Sequence, residues 1–192
     1  MTSDPLEGHW PTRPKGWRRV AFRLPNLLFR IGLGPLFGGR LLRLVHTGRS
    51  TGLTRETVVE VVEHTPGSSS WVVASGFGPQ ADWYRNLRVQ PQATIQSGRR
   101  YRLVTAYFVE PEEGGRIMAR YAAKHPRTAR RLCRYMGLTV DRADRADRAD
   151  RADRADRADR AAESYRAAGE RIPFVRLRED GVPGETLPPG GV

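Results

Sequence analysis

Residues 46–55 read His46-Thr-Gly-Arg-Ser-Thr-Gly-Leu-Thr-Arg55 and lie between two runs of strand character. Upstream, Leu41–Thr47 ends at Gly48. Downstream, Thr57–Glu63 is rich in valine. Two β runs with glycine in the link read as an antiparallel pair. Gly48 and Gly52 allow a tight turn and close approach to a ligand, with no Cβ in the way. Arg49 and Arg55 offer permanently charged forks suited to phosphate or carboxylate. Ser50, Thr51 and Thr54 add hydroxyl groups. The segment reads as an ordinary turn or as a phosphate cradle. It is not a Walker loop, because the Gly-Lys-Ser/Thr ending is missing and a strand follows.

Outward from this link the β character continues. Pro66-Gly-Ser-Ser-Ser70 is a turn before a third strand, Trp71–Ser75, and Gly76-Phe-Gly-Pro79 is a loop. Asp82–Val89 reads as a short helix stopped before Pro91, with Asp82 as its cap. On that helix Trp83 and Tyr84 either wall a flat ring system or pack in a core. Asn86 either bonds a polar ring edge or is a satisfied surface amide. Ala93–Gln96 and Arg100–Val109 flank Ser97-Gly98, a hairpin signal. Glu112–Lys124 is a helix with acids first and bases last, as the macrodipole favours. Pro126 opens a further helix to about Met136, and Ile172–Leu177 is a last strand. The pattern is α+β and mainly β.

The chain divides by composition. Residues 1–16 are Pro-rich and loose. Residues 17–40 are a basic amphipathic helix, bent at Pro25, that suits either an anionic membrane surface or the side of the core. Residues 41–140 form the core, 162–180 its closing helix and strand, and 181–192 a flexible tail. Between them, 141–161 are seven consecutive Asp-Arg-Ala units. A three-residue period moves the alanines around a helix axis and leaves no lasting apolar stripe. The repeat therefore reads as an exposed salt-bridged helix or a linker, inserted without a role in binding.

Composition narrows the classes. The 192 residues suit one domain with attachments, and 39% hydrophobic content is enough for a core. No apolar run approaches the roughly 20 residues that a membrane crossing needs. The start, MTSDPLEGHW, lacks the layout of a secretory signal, and one cysteine, Cys133, excludes an internal disulfide framework. A cytoplasmic location is expected, and no metal site. Cys133 reads as a helix-packing residue. The net charge of +12 is concentrated in residues 1–43 (+6) and 116–140 (+7). Such patches attract phosphorylated cofactors, acidic lipids or nucleic acid. Nucleic acid is the weaker partner, because no helix-turn-helix, zinc pattern or basic–aromatic platform is present.

Three motifs resemble one family. Thr47-Gly-Arg-Ser-Thr-Gly-x-x-Arg55, Val73-Ala-Ser-Gly76 and Asp82-Trp-Tyr-x-Asn-Leu87, followed by Pro91, are similar to the deazaflavin-dependent nitroreductase family of actinobacteria. Order and spacing agree over roughly residues 20–138, and Ile172-Pro-Phe-Val-Arg-Leu177 resembles the family's closing strand. The resemblance implies a split β-barrel of six or seven antiparallel strands, Greek-key-like, with peripheral helices. It implies a homodimer that binds coenzyme F420, an 8-hydroxy-5-deazaflavin, and passes hydride to a small organic acceptor of nitroaromatic, quinone or enone type. FMN and haem are the alternative cofactors of such a barrel, and the non-enzyme alternative is a non-catalytic binding protein for nucleic acid or lipid, using the basic surface or the barrel groove.

Carried over by residue, the resemblance implies that Arg49, Ser50, Thr51 and Gly52 hold the coenzyme's phosphate, with Arg55 near its acidic tail. Ala74, Ser75, Gly76 and Phe77 would lie along the ring, with the Ser75 hydroxyl or a nearby amide at its reactive edge. Asp82, Trp83, Tyr84 and Asn86 would close the pocket. Ser50 stands where one member of the family has a basic residue, which puts the phosphate on Arg49 and Arg55. Tyr121-Ala-Ala-Lys-His-Pro126 stands where that member has tyrosines along the acceptor pocket, which points to a different acceptor. Tyr121 is either core or acceptor wall. His125 is the candidate proton donor, or else a solvated joint between helices.

Overall fold

The computed structural model describes residues 39–65, 67–140 and 151–180. Six strands close into an antiparallel barrel: β1 (Leu41–Thr47), β2 (Thr54–His64), β3 (Ser70–Ala74), β4 (Gln92–Ser97), β5 (Arg100–Phe108) and β6 (Phe174–Glu179). Around the barrel the order is β1-β2-β3-β6-β5-β4, and β4 returns to β1 through pairs such as Leu44↔Ile95. This is the expected split-barrel architecture. The expected N-terminal helix, 17–40, lies outside the described residues apart from 39 and 40, as does the 181–192 tail.

Alternation makes the barrel interior. Leu42 and Leu44 of β1, Ile95 of β4, Val104 of β5 and Leu177 of β6 are fully buried. Each such side chain contributes roughly 1.5–3 kcal/mol relative to exposure. The helix α1 (Asp82–Val89) adds Trp83, Tyr84 and Leu87 to this interior. On the outer face of the sheet, Arg43 donates to Glu56 (2.5 Å) and to Gln96 Oε1 (3.1 Å), tying β1 to β2 and β4.

A second core lies outside the barrel. Val62, Val72, Ala74 and Phe174 face three helices: α2 (Pro111–Lys124), α3 (Pro126–Tyr135) and α4 (Arg151–Arg171). Cys133 is fully buried there. Burial pushes its thiol up to about 12, so it stays protonated and unreactive near neutrality.

Several boundaries differ from expectation, and three of them have a clear physical reason. β2 starts at Thr54 rather than Thr57, because backbone pairing with β1 continues through His46↔Arg55 and Thr47↔Thr54. β6 starts at Phe174 rather than Ile172, because Pro173 has no N–H to give a ladder and Ile172 packs among the helices. The third concerns the repeat. Its described part, residues 151–161, is helical, with Arg160 paired to Asp156 one turn back. Among the described side chains of this helix, burial begins at Ala161, followed by Tyr165 and Ala168, all about 5–6% exposed. Trimming the repeat to its final unit, Asp159-Arg160-Ala161, is therefore expected to leave coenzyme affinity unchanged in a fluorescence titration. A lost affinity in a folded variant would give the repeat a binding role.

Candidate active site

The β1–β2 link is a closed loop. Gly48 N donates to Leu53 O (2.8 Å), and Gly52 N donates to Gly48 O (2.8 Å). Gly52 has a φ of +66°, a region that suits glycine. At Gly48 a Cβ would come within 3.0 Å of Thr51 Oγ1 and 3.2 Å of Leu53 O. Both glycines serve the turn, and the turn puts Arg49, Ser50, Thr51 and Arg55 at the surface.

The loop is tethered to α1. Arg49 N donates to Asn86 Oδ1 (3.1 Å), and Arg49 Nη1 donates to the same oxygen (2.9 Å). Arg49 Nη1 also stands 3.4 Å from Asp82 Oδ1. Asn86 is only 4% exposed, and its Nδ2 donates to Nδ1 of His46 at 3.1 Å. His46 is 5% exposed. Burial, its largest influence, lowers its pKa below the ordinary 6.5. Arg55 forms no ion pair with a carboxylate among the described residues. Two guanidinium groups and three hydroxyls on one exposed loop make a donor set that fits an anionic coenzyme.

The second predicted segment follows β3. Ser75 is fully buried, its N–H donates to Pro173 O (2.9 Å), and its Oγ donates to Gly78 O (2.7 Å). The Ser75 hydroxyl thus has no proton free for a reactive edge, which leaves the other expected donor, a nearby amide. The hydroxyl proton is engaged in holding the Ser75–Gly78 turn, since a buried hydroxyl needs a partner. Beside that turn stands Tyr135, which sequence reasoning did not single out. Its ring is 5.9 Å from Phe77, edge-on, and a Cβ on Gly76 would meet it at 3.4 Å.

Other expected site residues fall elsewhere. Trp83 and Tyr84 are each 8% exposed and pack in the barrel interior, Tyr84 edge-on to Phe108 at 5.1 Å. Their placement is the core-packing alternative, because their helix inserts that face into the barrel. Asp82 is not the cap of α1. Ala81 holds that position, with extended backbone (φ −58°, ψ 131°), and Asp82 is the first helical residue. Asn86 is not a surface amide; it is buried and bridges His46 and Arg49.

His125 borders a different cleft. It joins α2 to α3, its ring 5.4 Å from Tyr121. With Arg40, Val61–Thr65, Arg120, Tyr121 and Lys124 it lines a space of about 290 Å³. Those β2 residues lie seven to ten positions beyond Thr54, on the order of 25 Å along the strand at 3.3 Å per residue. The structure does not bring His125 to the arginine loop. Tyr121 is 4% exposed and donates to Glu60 Oε1 (2.7 Å); burial and this carboxylate raise its pKa far above neutrality. Among the described residues no cluster of three or more His, Cys, Asp or Glu side chains is placed to hold a metal, and no helix is long and apolar enough to cross a membrane.

A family model described as F420H(2)-dependent quinone reductase matches residues 30–142. That span exceeds half of the 192 residues and includes the arginine loop, the Ser75 turn and α1. The fold and the family match thus define a deazaflavin-dependent split barrel, and the chain belongs to the F420H(2)-dependent quinone reductase family. It is accordingly an oxidoreductase with coenzyme F420 as its cofactor. No curated protein matches the chain.

Several solved structures are distantly similar. An F420-H2 dependent reductase, FDR-A, is 17% identical with a TM-score of 0.43, covering 72% of this chain and 94% of that one. The haem storage protein HutZ from Vibrio cholerae is 14% identical with a TM-score of 0.44, covering 80% and 89%. An FMN-binding, pyridoxamine 5'-phosphate oxidase-related protein from Nostoc punctiforme is 9% identical with a TM-score of 0.47, covering 88% and 83%.

Proposed function

We propose that the chain transfers a hydride from F420H2 to a quinone-type acceptor, with the Arg49–Arg55 loop holding the coenzyme's anionic portion. The observation that carries this reading is the paired anchorage of Arg49. Asn86 and Asp82 keep one guanidinium on the loop while Arg55 supplies a second. The coenzyme, when bound, supplies the hydride. The chain's own residues then have three tasks. Arg49, Arg55, Ser50 and Thr51 neutralise and hold the anion. Ala74, the Ser75–Gly78 turn and Phe77 offer a firm edge for the planar nucleus. Gly76, with no side chain, leaves the nucleus room next to Tyr135. Orientation and water exclusion account for much of the rate gain available to such a reaction.

A nitroaromatic or enone would satisfy the same site, and the family match favours the quinone. A homodimer belongs to this reading. Tyr101 and Leu103 share one face of β5 and are 60% and 66% exposed, an apolar strip that a second copy would cover. The test is a fluorescence titration with F420, followed by anaerobic turnover of F420H2 with a naphthoquinone. Saturable binding and quinone-dependent return of deazaflavin absorbance are expected. No binding up to about 100 μM, equivalent to only about −5.5 kcal/mol, would reject the reading.

A further inference from the structure

The hydrogen bonds of Asn86 define the protonation state of a residue behind the loop. Its Oδ1 takes two donors from Arg49, at 3.1 and 2.9 Å. The amide nitrogen must then face the other way, where His46 Nδ1 lies at 3.1 Å. An amide NH2 can only donate, so His46 Nδ1 must be bare and the neutral ring must carry its proton on Nε2. A chain of bonds therefore runs from a buried histidine, through a buried amide, to the arginine at the surface.

We propose that His46 is a positioning residue for coenzyme binding: neutral, it fixes Asn86 and so aims Arg49, and on protonation it releases the loop. This rests on the reading that the loop holds the coenzyme's anion. The hydrogen bonds are directional. A proton on Nδ1 sets donor against donor. Turning the Asn86 amide to relieve this would place its NH2 against two N–H groups of Arg49, so both links fail together.

The charged groups around His46 are known. From α1, Asp82 favours the protonated ring; from β2, Arg55 opposes it; the Thr47 backbone favours it; burial outweighs these and lowers the pKa. His46 is therefore neutral near neutral pH and gains a proton only as the pH falls below its ordinary 6.5. Because the folded pKa is depressed, its contribution to stability is present above 6.5 and is lost as pH falls through the window beneath.

The experiment is a set of F420 fluorescence titrations from about pH 8 to about pH 5, where histidines titrate. It compares the full chain with His46→Asn and His46→Leu, with a thermal melt at each pH. Asparagine offers an acceptor oxygen near the place of Nδ1 but does not titrate. The wild type is expected to lose about tenfold in affinity on acidification, the worth of one hydrogen bond. His46→Asn should bind within a few-fold of wild type at the alkaline end and lose that slope. His46→Leu should bind about tenfold more weakly at the alkaline end. If His46→Asn keeps the wild-type slope, or wild type tightens on acidification relative to it, the proposal is overturned; this comparison decides even if the leucine variant does not fold. Tight wild-type binding with no pH slope removes this inference alone. Absent binding at every pH removes the loop reading and this inference with it.

Discussion

Arg49→Ala is expected to weaken F420 binding by about 1–3 kcal/mol, roughly five- to 150-fold, the range for one charge-assisted hydrogen-bonded contact. The effect should fall on affinity rather than on the fold. Asp82, the ion-pair partner, has a side chain 52% exposed and stands 3.4 Å from Nη1. An exposed pair of that kind contributes little to stability. The Arg49 backbone N–H also survives the substitution and keeps its bond to Asn86. The thermal midpoint should therefore stay near that of wild type while the titration curve moves to higher coenzyme concentration. Arg49→Lys should recover only part of the loss, because an ammonium cannot reproduce the planar fork. An unchanged titration curve would mean that the anion is held elsewhere.

The largest expected effect on stability belongs to Gly169 of α4. A Cβ there would lie 2.5 Å from Gly114 O and 2.5 Å from Met118 Cβ, and 2.9 Å from Gly115 Cα. From the opposite side, a Cβ on Gly114 would stand 2.8 Å from Gly169 O. The backbones of α2 and α4 thus touch, and no side chain can swing aside. Gly169→Ala gains about 1 kcal/mol of helix propensity. Separating the helices loses their packing against Phe174 and Met118, and overpacking of this kind costs about 1–3 kcal/mol or more. With backbone on both sides the upper part of that range applies. A net loss of about 2 kcal/mol is expected, which lowers the melting temperature by about 4–8 °C for a chain of this size. An unchanged or higher melting temperature would show that the two helices stand further apart.

Much of the barrel is legible in the residues, for identifiable reasons. The valines of β2 and the glycine-bearing links declare strands and turns, and Pro91 stops α1 where expected. Residues that pair only through backbone give no such sign, which is why Thr54–Glu56 were missed at the start of β2. The arginine loop was legible from its glycines and charges. What lies behind it was not. Trp83 and Tyr84 carry the same chemistry whether they face a ligand or a barrel interior, and only the placement of α1 separates the two. Ser75 shows a hydroxyl in sequence but not the carbonyl of Gly78 that takes its proton. His46 could have been found. It continues the Leu42, Leu44 alternation on β1, so a polar side chain was due at an interior position, where it needs a specific partner.

The most direct measurement is a crystal structure of the chain soaked with F420. Phosphate density within hydrogen-bonding distance of Arg49 and Arg55, with the planar nucleus against the Ser75–Phe77 turn beside Tyr135, is the predicted result. Coenzyme density in the Arg40–His125 cleft, with both loop arginines turned to solvent, would contradict it.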